Sequence, residues 1–205
     1  MGIILVNRFV QSLLSTCMEN LINDTASIIP EIYSPDMYKP TEVSQLVEYY
    51  GGNRVKVKGG YPSEEVSSPS VYVATGNANL IEEMIGFAER YDIVASETVG
   101  TMEGKVYNKS CRVVVASENH TVSDTLSGIC EYFLHQNEET FTRYGMTNLH
   151  CSFQEVDLLS RLFPQGFFYR TFIVTFDVVD TMIVSKDRLI KTIDIGTITF
   201  NLEGE

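Results

Sequence analysis

Between residues 3 and 22 apolar side chains recur at helical spacing. Ile3, Val6, Val10, Leu13, Leu14, Cys17, Leu21 and Ile22 fall on one stripe, which predicts an amphipathic helix that needs a partner surface. The pattern dissolves in DTASIIPEIYSPDMYKP, residues 24–40, where three prolines predict an extended, irregular segment. Residues 24–69 as a whole read as an arm or insertion.

Past that segment the period changes. SVYVATG, residues 70–76, alternates as a strand does, and NANLIEEMIGFAER, residues 77–90, reads as a helix with Leu80, Met84, Phe87 and Ala88 inward. Gly76 lies at this junction without GxxxxGK[ST] around it, so it reads as turn chemistry and not as a phosphate loop. Residues 91–117 predict a long hairpin turning at Glu103 and Gly104. Val122, Leu126, Ile129, Cys130, Phe133 and Leu134 then form the stripe of a second amphipathic helix ending at Gln136, with Thr121 and Asp124 in the positions of a weak capping box.

Two strands follow. In LHCSFQEV, residues 149–156, Leu149, Cys151 and Phe153 alternate with His150, Ser152 and Gln154. From Phe168 to Val184 the chain is apolar on both faces, the pattern of a strand covered on both sides by a helix, a neighbouring segment or another subunit. SKDR turns it into a last strand, and residues 185–205 read as a C-terminal extension. The elements predict one α+β domain over residues 1–205, with a mixed, mainly antiparallel sheet and a long hairpin, packed by an N-terminal helix and a second amphipathic helix.

Charge narrows the function classes. Fifteen basic against 27 acidic residues give a formal charge of −12, which argues against a broad basic face for nucleic acid but suits a wall past which DNA slides. Cys17, Cys111, Cys130 and Cys151 form no CxxC pair and no metal-ligand spacing, so they read as small core residues in a reducing compartment, and neither metal nor cofactor is expected. The opening apolar stretch lacks a basic n-region and is broken by Asn7, Arg8 and Gln11, which predicts a helix that is neither exported nor membrane-spanning.

GGNRVKVKGG, residues 51–60, is the one basic cluster, with Arg54, Lys56 and Lys58 on one face of a short strand. Lysine commonly guards an exposed sheet edge in this way, and the alternative is a docking arm. Catalytic groupings are not visible in the linear sequence. His150 and Cys151 point to opposite faces of a strand, His135 lies near a helix C-terminus, and the acidic pairs Glu82–Glu83 and Glu138–Glu139 occupy polar helix surfaces, while Asp177 and Asp180 interrupt the long strand. The balance favours assembly over catalysis and predicts a chain that is not an enzyme.

The order of elements, together with YGMTNLHCSFQEVD and FYRTFIVTFDVV, resembles the tail terminator, or tail-completion, proteins of tailed bacteriophages over residues 71–180. In that family an aliphatic strand, a loop, an amphipathic helix and a strand precede a closing strand of similar cadence, matched here at Tyr169, Arg170 and Phe172. The resemblance implies a virion protein made in the host cytoplasm, a homohexameric ring at the neck that halts the tail tube or sheath and meets the head–tail connector. DNA would cross its lumen without specific binding, no membrane is involved, and Tyr169, Arg170 and Phe172 become assembly contacts beside the basic strand. A different neck or baseplate ring protein, and a small cytosolic enzyme or ligand-binding α+β domain, are the competing readings.

Overall fold

The computed structural model describes residues 6–34, 37–63, 66–84, 100–154 and 163–185. Two compact units are present, one of residues 4–79 and 108–177, the other of residues 1–3, 80–107 and 178–205. The fold is α+β, with five helices and a mixed, mainly antiparallel sheet among the described residues. The helices are α1 (Val6–Asn23), α2 (Thr25–Ile32), α3 (Pro40–Gly52), α4 (His120–Gln136) and α5 (Glu138–Arg143). The strands are β1 (Lys56–Gly59), β2 (Ser70–Met84), β3 (Gly100–Ser117), β4 (Met146–Gln154) and β5 (Phe168–Ser185), in the order β1-β2-β3-β5-β4. β1 runs parallel to β2, with Lys56 opposite Ser70 and Lys58 opposite Tyr72.

In the larger unit the helices cover one face of the sheet. Asn7 of α1 donates to Thr75 of β2 at 3.2 Å, and Phe141 of α5 lies 4.8 Å from Phe176 of β5. Phe172, Val174 and Phe176 point the same way and are fully buried. Each such phenylalanine contributes about 1.5–3 kcal/mol of burial. The other face carries a second, smaller cluster in which Tyr72, Val114 and Ala116 meet Phe163, with Val66 and Tyr169 packed against it. β5 contributes to both faces: Phe172, Val174 and Phe176 face the helices, and Tyr169 faces the covering segments.

Both amphipathic stripes behave as their spacing requires. Val6, Val10, Leu14, Cys17 and Leu21 of α1 are buried, as are Val122, Leu126, Ile129, Cys130, Phe133 and Leu134 of α4. The cap of α4 lies two residues earlier than the Thr121 signature, because Asn119 Oδ1 accepts from the Thr121 and Val122 amides at 2.9 and 3.4 Å. Asp124 is thereby free for a different contact.

Three expectations are corrected. Residues 24–40 are not an extended arm, since α2 includes Pro30 and α3 begins at Pro40. Pro30 forfeits one amide hydrogen bond near the end of a two-turn helix, and burial of Thr25, Ile29 and Tyr33 compensates. Pro40 occupies the first helical position, where a missing N–H removes nothing. NANLIEEM is not helical but continues β2 to Met84, and Glu103 and Gly104 lie inside β3, not in a turn. A neighbouring strand supplies backbone partners that outweigh a marginal helical period. Phe87, Ala88, the first hairpin arm over 91–99, the SKDR turn beyond Ser185 and the last strand lie outside the described residues.

At Gly76 β2 and β3 approach closely. A Cβ there would lie 2.6 Å from the carbonyl oxygen of Ser110, whose hydroxyl accepts from the Asn77 amide at 2.8 Å and donates to the Asn77 carbonyl at 3.0 Å. Gly76 therefore serves close strand approach and not a loop.

Candidate functional site

The basic cluster divides in two. Arg54 lies just before β1 and pairs with Glu19 of α1 at 3.2 Å, so it joins the helical layer of its own chain. Lys56 and Lys58 sit on β1, the edge of the sheet, and Lys58 Nζ stands 5.7 Å above the Tyr72 ring. Gly59 points instead at Gln11 of α1, which places Lys56 and Lys58 on the face away from the helices. A short edge strand bearing lysine resists uncontrolled strand addition.

Of the residues taken from the tail terminator cadence, Phe172 is fully buried and belongs to the core. Its ring lies 5.5 Å from that of Phe153, itself 55% exposed on β4. Tyr169 donates to the Pro164 carbonyl at 2.8 Å and packs 4.9 Å from Phe163, an anchor for the segment before β5. Arg170 is half-exposed. Its Nε donates to Asp124 Oδ1 and its Nη2 lies 3.0 Å from His120 Nε2, while His120 Nδ1 lies 3.1 Å from Asp124 Oδ2.

These three side chains close a ring of hydrogen bonds between β5 and the first turn of α4. With Nδ1 donating to the carboxylate, Nε2 accepts from the guanidinium, so the imidazole's lone pair is already engaged. The hydrogen bond from Arg170 holds the Asp124 carboxyl below its ordinary value, and Asp124 in turn raises Arg170. The chemistry of this cluster is to staple strand to helix. In the sequence only the one-turn spacing of His120 and Asp124 hints at it, and Arg170, on a distant strand, carries no local signal.

A second bracket joins three strands. Asp177 Oδ1 accepts from Asn108 at 2.9 Å and Oδ2 from Asn148 at 2.7 Å, and these bonds, led by Asn148, lower its pKa. Asn148 takes a positive φ of 53°, a conformation asparagine tolerates well. Of the histidines, His135 approaches Glu138 at 3.9 Å and His150 lies exposed on β4. Glu138 and Glu139 occupy the first turn of α5, whereas Glu82 and Glu83 belong to β2.

The cysteines are free thiols, three of them buried. Burial pushes Cys17 up to about 11 and Cys111 up to about 12, so neither is a thiolate near neutral pH. Among the described residues no group of three acidic, histidine or cysteine side chains is placed to hold a metal ion, and no helix is long and apolar enough to cross a membrane.

A surface groove of about 470 Å³ opens in the helical layer, lined by Phe9, Leu13, Phe133 and Tyr144, with Glu31 and Tyr132 among its polar groups. Tyr132 donates to Glu31 at 2.6 Å and accepts from Gln136 at 2.7 Å. No protein-family model matches the chain, and no curated protein matches its sequence.

Proposed function

We propose that the chain is a structural subunit of a ring, in the manner of the phage tail terminators it resembles, closing the tail tube or sheath and meeting the head–tail connector. The observation that carries this reading is the length of the strands. β3 and β5 each contain 18 residues, a contour of about 60 Å. A globule of about 150 residues is only roughly 40 Å across. β2, β3 and β5 each begin or end in residues assigned to the smaller unit. The order β2, β3, α4, α5, β4, β5 supports the family cadence, with the short α5 inserted, and the acidic balance suits a lumen that repels DNA phosphate.

The test is the state of the purified chain at about tens of micromolar, where obligate assemblies persist. Light scattering is expected to give six times the 23.1 kDa subunit mass, with rings visible in negative stain. A strictly monomeric chain, both alone and mixed with tail tubes, refutes the ring.

A further inference from the structure

The ring reading leaves open which surfaces meet, and the distribution of charge answers that. The helices carry eight carboxylates, Glu19 in α1, Glu31 in α2 and two each in α3, α4 and α5, against the two bases Arg8 and Arg143. The opposite sheet face has the reverse balance. Lys56 and Lys58 occupy its β1 edge. Arg112 of β3 alternates with Val114 of the loop-covered cluster, and so shares that face.

Arg112 reaches the Tyr61 hydroxyl at 3.3 Å and Gln154 at 3.4 Å, while its Nε has no partner. Tyr61 beside it is 44% exposed. Asp177 is the carboxylate on this face among the strand residues of the larger unit, and both of its oxygens are held by asparagine amides.

We infer that the open sheet face of one copy, with Lys56, Lys58 and Arg112, docks on the acidic helical layer of a second copy, around the groove that Glu31 lines. This inference rests on the ring reading and specifies its contact. Two different patches meet, so the interface is heterologous, the kind that closes into a ring when its rotation permits. Like charges disfavour helix-to-helix and sheet-to-sheet pairing, which selects the head-to-tail arrangement. The groove, with Phe9, Leu13 and Phe133 beside its polar groups, supplies the concave surface for an amphipathic aromatic such as Tyr61.

The experiment compares the full chain with a sheet variant, Lys56→Glu/Lys58→Glu, and a helix variant, Glu31→Lys/Glu138→Lys. Each variant alone is expected to need about ten- to hundredfold more protein to assemble, because attraction at two positions becomes repulsion. An equimolar mixture is expected to recover association, since each copy then presents a complementary surface to the other. Lys56→Gln/Lys58→Gln, which removes charge without reversing it, should weaken assembly in the same direction but less, and unchanged melting temperatures exclude misfolding as the cause. If the unaltered chain forms rings and the sheet variant forms them at the same concentration, or if mixing restores nothing, the contact is wrong and the ring reading stands. If the unaltered chain never assembles, both fall.

Discussion

Tyr50 decides whether residues 24–52 are part of the core. It is 1% exposed, and its hydroxyl lies 2.9 Å from Thr125 Oγ1 and donates to the Val122 carbonyl at 3.3 Å. Tyr33 reaches the same turn of α4, donating to the Thr125 carbonyl at 2.7 Å. Tyr50→Phe leaves no orphaned acceptor, because the Thr125 hydroxyl still donates to Val122 O at 3.2 Å. Its expected cost is therefore that of an ordinary hydrogen bond, about 0.5–1.5 kcal/mol, and Tyr33→Phe falls in the same range. Tyr50→Ala opens a cavity beneath α3 and should cost about 3–5 kcal/mol, as other buried aromatic truncations do.

Urea unfolding measures all three. A Tyr50→Ala change within about 0.5 kcal/mol of the parent chain, the range of ordinary surface substitutions, would refute the reasoning and return α2 and α3 to the status of a loose arm. The pH dependence gives a second reading of the same contacts. Burial raises both phenols above their ordinary value of 10.0. The folded chain then keeps protons that the unfolded chain releases, so this stabilisation is complete below about pH 10 and is lost as pH rises beyond it. The double variant Tyr33→Phe/Tyr50→Phe should lose less stability between neutral and strongly alkaline pH than the parent does.

Two further outcomes are expected. Asn119→Ala should lower stability by about 1 kcal/mol in urea unfolding through loss of the α4 cap, while Thr121→Ala should be close to neutral, the reverse of what a cap at Thr121 requires. Asp124→Asn should flatten the acid limb of stability: its carboxyl is held below 3.8 by Arg170, so its contribution is present above that value and lost as pH falls through the lower folded one, and an unchanged acid limb would count against the staple.

What the sequence reveals follows from how local the cause is. The stripes of α1 and α4 and the long run of β5 are legible because burial on one or both faces writes its own period into the chain. α3 is not legible because its buried pair, Val43 and Tyr50, is seven residues apart and leaves only a thin stripe. The continuation of β2 past Asn77 depends on β3, more than twenty residues away, and no local propensity encodes that partner. Within the candidate site, Lys56 and Lys58 were legible as an alternating pair, whereas the separation of Arg54 from them required Glu19 of a different element. The cadence of Tyr169, Arg170 and Phe172 marks a strand, and alternation puts Arg170 and Phe172 together on the helix-covered face, Phe172 in the core and Arg170 half-exposed against α4, with Tyr169 on the other face.

The close approach at Gly76 has an evolutionary corollary. Ser110 occupies with its hydroxyl the space that any larger residue at 76 would claim, and it returns the favour by bonding both backbone groups of Asn77. Alanine at 76 displaces Ser110, and loss of Ser110 alone removes the side chain that bonds Asn77. The two positions, 34 apart in sequence, are nevertheless constrained unequally: the backbone carbonyl of residue 110 bars a side chain at 76 whatever residue stands at 110, so lineages of this chain should keep the glycine, whereas the serine can change at the cost of its bonds to Asn77.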